Sequence, residues 1–145
     1  MRKNKILLLG GAGQLGRELK DSLSVLGDVM PLSRSEVDLS RPDELPDALN
    51  KISLTFMPTL VVNAAAYTNV DQSEINIKES KLVNAISPRL IAEFSESVGA
   101  VMVHYSTDYI FSGDGTLPWS ETDTPEPLSV YGKTKNEGER YVQEN

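Results

Sequence analysis

A chain of 145 residues, 39% of them hydrophobic, can bury one core, and its formal net charge of −7 argues against a nucleic-acid partner. With no cysteine and one histidine, a disulfide framework, a thiolate metal site, a cysteine nucleophile and a histidine-rich metal centre are excluded. No run approaches the roughly 20 apolar residues that span a bilayer, and the first ten residues reach glycine too soon for a signal peptide, so a cytoplasmic protein without a membrane partner is expected.

The first apolar run, Ile6–Leu9, is continuous rather than alternating, which predicts a strand covered on both faces. It leads into Gly10-Gly11-Ala12-Gly13-Gln14-Leu15-Gly16, which fits both G-x-x-G-x-x-G and G-x-G-x-x-G, and then into a helix on which Leu15, Leu19, Leu23 and Leu26 recur at helical spacing. Strand, glycine turn and helix start in that order suit the pyrophosphate of a dinucleotide, which would meet backbone N–H groups at the helix start. Gly10, Gly13, Gln14, Leu15 and Gly16 are the candidate contacts, and a purely structural glycine turn is the plainer alternative. Gly27 can stop this helix.

Val29–Leu32 predicts the second strand, and Leu32-Ser33-Arg34-Ser35 stands at its end, where dinucleotide folds read the adenosine ribose. An acid there favours NAD. Here the run offers donors, so Arg34 is a candidate for the 2′-phosphate of NADPH, with a solvated surface arginine as the alternative. Asp38 and Leu39 follow, a carboxylate and an apolar side chain able to frame adenine. Pro42 suits the first turn of a helix over Leu45–Ile52, Leu60–Ala65 predicts a third strand, and Leu82–Val98 a third long helix ended by Gly99. Pro88 has no N–H, so the Ser73–Val98 region is expected to contain a break or kink near Ser87. Val101–Tyr105 predicts the fourth strand, Ser112–Ser129 with three prolines and two glycines a long loop, and Val130–Val142 the last helix. These four β–α units predict an α/β fold with a doubly wound parallel sheet, a Rossmann-like dinucleotide-binding domain. The strand order 3-2-1-4 is taken by analogy with that pattern.

Tyr131 and Lys135 stand four apart on the last helix and so share a face. A phenol serves as a proton donor and acceptor near neutral pH only beside a cation that stabilises its phenolate, which Lys135 could provide. Upstream, His104-Tyr105-Ser106-Thr107-Asp108-Tyr109 follows the fourth strand at its carboxyl end, where open α/β sheets bind ligands. A hydroxyl there could share a substrate carbonyl with Tyr131, or could merely satisfy backbone groups. His104 reads as structural.

Several blocks recur in order: Gly10–Gly16, Val62-Asn63-Ala64-Ala65-Ala66-Tyr67-Thr68-Asn69-Val70-Asp71, Leu82-Val83-Asn84-Ala85, Tyr105-Ser106-Thr107-Asp108-Tyr109-Ile110-Phe111, Pro118-Trp119-Ser120-Glu121 and Tyr131-Gly132-Lys133-Thr134-Lys135. Together they resemble the signature of the dTDP-4-dehydrorhamnose reductases, extended short-chain dehydrogenases. The resemblance implies reduction of the 4-keto group of dTDP-4-dehydro-L-rhamnose by NADPH or NADH. It implies catalytic roles for Tyr131 as proton donor, Lys135 as holder of the nicotinamide ribose and Thr107 as a carbonyl hydrogen-bond partner. Asp108 and Tyr109 would lie against the nucleotide-sugar substrate, and Ala64, Ala65, Ala66 and Tyr105 would line the cofactor. Some relatives hold Mg²⁺ at a dimer contact, so the resemblance also raises a homodimer, with Glu18 as a candidate ligand. Members of this family are about twice as long, so residues 1–145 are expected to be the cofactor-binding portion, truncated before the substrate domain. Another nucleotide-sugar reductase or epimerase, and a non-catalytic reductase-like regulatory subunit, are the competing readings.

Overall fold

The computed structural model describes residues 3–145. Four strands, β1 (Asn4–Leu9), β2 (Gly27–Leu32), β3 (Leu60–Asn63) and β4 (Val101–His104), form one parallel sheet in the order β2-β1-β3-β4. Helices α1 (Gln14–Ser24), α2 (Leu45–Phe56), α3 (Val70–Ile75), α4 (Ile77–Lys81), α5 (Ser87–Ser97) and α6 (Val130–Gln143) accompany it. The doubly wound α/β class expected from the apolar runs is the class found.

Side-chain alternation along β1 divides the core between the two faces of the sheet. Leu7 and Leu9 pack with Val61, Leu45 and Leu49 of α2 and Ile91 of α5, whereas Ile6 and Leu8 pack with Val62 and with Leu19 and Leu23 of α1. The four residues Ile6–Leu9 of β1 are therefore at most 1% exposed, which is why the run shows no polar alternation. Each contributes roughly 1.5–3 kcal/mol by leaving water.

The order 3-2-1-4 is not the one found: β3 lies beside β1, with Ile6 opposite Leu60 and Leu9 opposite Asn63. The second crossover explains the difference. After β2, residues 33–44 form turns and no further outer strand, and α2 carries the chain back past β1 to its other edge. A right-handed crossover that reverses direction must run over the opposite face, and α2 packs on the face away from α1. The carboxyl ends of β1 and β3 thereby become the switch point of the sheet, where ligands find a crevice.

Some boundaries differ from expectation. α1 ends at Ser24, and Gly27 opens β2 instead of stopping the helix, because a Cβ there would lie 2.3 Å from the Asn4 carbonyl oxygen. Pro46 rather than Pro42 occupies the first turn of α2. The polar stretch 70–81 forms the short helices α3 and α4, separated at Asn76. The break expected near Ser87 is a π-helical turn, Leu82–Ile86, closed by the Ser87 N–H on the Leu82 carbonyl. Pro88 then sits in the first turn of α5 and cannot donate to the Asn84 carbonyl. That carbonyl faces Gly138 of α6, so close that a Cβ on Gly138 would stand 2.0 Å away. Among the described residues no helix is long and apolar enough to cross a membrane.

Candidate functional site

At the switch point, the turn after β1 is built by backbone contacts that leave no space for a side chain at Gly10 or Gly16. Gly10 has φ +77°, and a Cβ on it would meet the Ala65 nitrogen at 2.7 Å. Gly11 N–H donates to the Leu32 carbonyl, Gly13 N–H to the Gly10 carbonyl and Ala64 N–H to the Leu9 carbonyl, which ties the turn to β2 and β3. Gly16 packs the start of α1 against this turn, since a Cβ there would be 2.1 Å from the Gly10 carbonyl oxygen. α1 begins with no side-chain cap and no acid in its first turn. Its free N–H groups and positive dipole end therefore face the crevice, an arrangement suited to a pyrophosphate.

The crevice is a cleft of about 880 Å³. Gly10, Gly13, Gln14 and Leu15 line it from the glycine turn, Arg34, Asp38 and Leu39 from beyond β2, Ala64, Ala65 and Ala66 from beyond β3, and Tyr105, Tyr131 and Lys135 from the far end. Gly16 is buried behind the wall. Most of the expected cofactor contacts thus converge on one surface. Thr107, Asp108 and Tyr109 do not line it: Thr107 caps a short 3₁₀ turn, Asp108–Ile110, by accepting from the Tyr109 N–H at 3.2 Å. The hydroxyl that does line the cleft in this stretch is Ser106, which donates to Glu139 at 3.0 Å. Tyr109 instead sets its ring edge-to-face against Tyr131, with centroids 5.6 Å apart.

Helix α6 delivers Tyr131 and Lys135 from its first two turns. Ser129 caps it by accepting from the Gly132 N–H at 3.0 Å, and Glu74 of α3 accepts from the Val130 N–H at 2.7 Å. Its inner face is held by a buried polar cluster. Asn84 accepts from the Tyr67 N–H at 2.8 Å and donates to the Tyr67 carbonyl at 3.1 Å and to Thr134 at 3.2 Å, while Ser80 bonds both Thr134 and Ser73. One network therefore fixes both the wall after β3 and the helix carrying Tyr131. Sequence reasoning missed Glu74, Ser80 and Thr134 as contributors. Asn84 and Thr134 stood inside quoted blocks without a role of their own, and nothing local marks Glu74 or Ser80, because their partners on α6 lie up to 56 residues away.

Lys135 is 2% exposed and donates to the Tyr105 carbonyl. Burial pushes its pKa down to about 8, against the opposing pull of the Glu139 carboxylate. His104 is pushed down to about 4 by burial and then by Lys135, so it is neutral, and it bonds Asn63 at 3.1 Å. Asn63 in turn accepts from the Ala65 N–H, so the histidine helps to hold the wall after β3. The Lys135 shift fixes a stability prediction. Between its folded value near 8 and its ordinary value of 10.5, the unfolded chain keeps a proton that the folded chain gives up, so stability rises with pH across that window. Below pH 8 the full cost of burying the cation applies, on the order of 3 kcal/mol. Lys135→Met should therefore be more stable than wild type at pH 7 and about equal at pH 11, as read by urea denaturation at both pH values. A constant difference would show that Lys135 carries no such cost.

Among the described residues no three histidine, aspartate or glutamate side chains gather as a metal site. The Mg²⁺ expectation at Glu18 thus finds no ligand set here, and Glu18 lines the cleft instead.

A family model described as the RmlD substrate binding domain matches residues 4–145. The chain is 42% identical over 139 residues to a dTDP-4-dehydrorhamnose reductase of Escherichia coli, covering 96% of this chain and 46% of that protein. It is 46% identical over 140 residues to one of Burkholderia thailandensis, covering 97% and 46%. It superimposes on a dTDP-4-dehydrorhamnose reductase of Bacillus anthracis solved in complex with NADP with a TM-score of 0.91, at 32% identity, covering 99% of this chain and 50% of that one. The chain spans about half the length of the curated relatives it matches.

Proposed function

We propose, from the premise that the chain belongs to the RmlD substrate binding domain family, that it forms the dinucleotide-binding part of a cytoplasmic reductase that converts dTDP-4-dehydro-L-rhamnose to dTDP-L-rhamnose. The observation that carries the reading is the convergence on one cleft of an uncapped helix start behind a glycine turn and of Tyr131 with Lys135. A dinucleotide fits these residues, because the small cradle of Gly10, Gly13 and Ala64–Ala66 leaves room where side chains would block it. NADPH or NADH supplies a hydride when bound. Tyr131 gives its phenolic proton to the oxygen of the 4-keto group, and the Lys135 cation favours the phenolate left behind and holds the nicotinamide ribose. Thr107, Asp108 and Tyr109 belong to the proposed substrate side, outside the cofactor cleft, and the rest of the sugar-nucleotide pocket is assigned to the half of the relatives' length that this chain does not span.

Calorimetric titration tests the cofactor assignment: micromolar binding of NADH or NADPH is expected for residues 1–145, and folded protein that binds neither would overturn it. The activity is tested on the full-length protein by following nicotinamide absorbance with dTDP-4-dehydro-L-rhamnose. A clear preference for a different nucleotide-linked 4-keto sugar would reassign the substrate.

A further inference from the structure

We infer that Glu79 sets the coenzyme preference of the cleft by occupying the guanidinium that a 2′-phosphate would need. The inference rests on the reading of the cleft as a nicotinamide-dinucleotide site. Arg34, just beyond β2, is the cation placed to meet the adenosine ribose, and its side chain is 71% exposed. It is not idle. Its Nε lies 3.3 Å from Asp38, one terminal nitrogen lies 3.3 Å from the Ser40 hydroxyl, and the same nitrogen lies 3.5 Å from Glu79.

The two carboxylates play different parts. Asp38 also accepts from the Ser40 N–H at 2.9 Å and from its hydroxyl at 2.7 Å; burial opposes its charge, but these bonds and Arg34 outweigh that and hold its carboxyl below the usual range. It is a fixed part of the turn and takes the inner edge of the guanidinium. Glu79 reaches across from α4 to the outer edge, and among the described residues its carboxylate has no other hydrogen bond or ion pair. It lines the cleft beside Arg34 and is the partner that a phosphate would displace. The neighbouring hydroxyl is also committed: Ser33 donates from both N–H and Oγ to Glu36 at 2.8 Å.

A 2′-phosphate arriving here would bring close to two negative charges into a corner where Asp38 and Glu79 already hold the one guanidinium. A 2′-hydroxyl is a donor and gains from a carboxylate acceptor in the same place. With Glu79 intact the cleft therefore takes NADH at least as readily as NADPH. Releasing Arg34 from Glu79 shifts the balance towards NADPH, because a charge-assisted bond to phosphate replaces an exposed ion pair of small worth.

Calorimetric titration of NADH and NADPH against the intact protein and its Glu79→Gln, Arg34→Ala and doubly substituted forms tests this. Glu79→Gln should raise the ratio of NADPH to NADH affinity about fivefold or more, and the gain should largely vanish in the Arg34→Ala background. An unchanged ratio overturns the inference. So does a gain of equal size without Arg34, which would mean simple repulsion of the phosphate by Glu79. If wild-type protein binds neither coenzyme, the dinucleotide reading fails and the inference falls with it; NADH binding with an unmoved ratio overturns the inference alone.

Discussion

Tyr131→Phe should lower the proposed reductase turnover of the full-length protein at least about a hundredfold while leaving dinucleotide affinity near that of wild type. The substitution deletes one oxygen and keeps the ring. The edge-to-face contact with Tyr109 survives, the Ser129 and Glu74 side chains cap α6 by accepting from the Gly132 and Val130 N–H groups without involving the ring, and Lys135 keeps its bond to the Tyr105 carbonyl. What is lost is the group proposed to give a proton to the developing alkoxide, a contribution of roughly two to four orders of magnitude for a positioned acid. Single-turnover kinetics and titration of the coenzyme separate the two effects. Turnover within a factor of three of wild type would move the proton-donor role to another hydroxyl, for which Ser106 is the candidate already facing the cleft.

The parts of the fold legible in the sequence were those written in local pattern. Ile6–Leu9 announced a doubly covered strand because both neighbouring layers demand apolar residues, and Leu19 and Leu23 announced the buried face of α1 because one layer does. Strand order was not legible, since it depends on which edge α2 carries the chain to, and the turns over residues 33–44 contain nothing that states a destination. The helices of 70–81 escaped for a different reason. They bury Ser73 and Ser80 rather than an apolar stripe, so hydrophobic periodicity could not report them. Pro88 gave notice of a break but not of its form, because a π turn is chosen by what packs against the freed carbonyl, here Gly138 of a helix fifty residues on.

The same division runs through the site. Glycine spacing and the Tyr131–Lys135 interval are local, and both point into the cleft. Arg34 and Asp38 were found by their position after β2, but not their pairing with each other, and Glu79 lies on a short helix that the apolar pattern did not mark. Thr107 shows what a motif leaves out. Its position in a resembling block marked it for the carbonyl, whereas its oxygen here accepts from a neighbouring backbone N–H outside the cleft lining.

Gly16→Ala should cost both stability and dinucleotide binding, and it separates packing from ligand contact because Gly16 does not line the cleft. The added methyl would fall 2.1 Å from the Gly10 carbonyl oxygen and 2.8 Å from the Gly11 Cα, both backbone atoms of a turn pinned by bonds to β2 and β3. No side chain can swing aside, so α1 itself must back away from the turn by about an ångström or more. Overpacking of this kind costs about 1–3 kcal/mol, and the better helix propensity of alanine returns at most about 1 kcal/mol of it. The larger consequence is for the ligand. The N–H groups at the start of α1 act on a pyrophosphate only within hydrogen-bond range, near 2.9 Å, and a displacement of that size takes several out of range together. Affinity for NADH and NADPH should fall by about a hundredfold. Gly13→Ala provides the contrast: its methyl would meet only the Gly10 carbonyl oxygen, at 3.2 Å, and its site is exposed, so it should leave the melting temperature within a few degrees of wild type. Calorimetric titration and thermal denaturation of the two variants side by side decide the matter. If Gly16→Ala melts and binds like wild type, α1 is not held against the turn as described, and the uncapped helix start loses its place as the anchor of the cofactor.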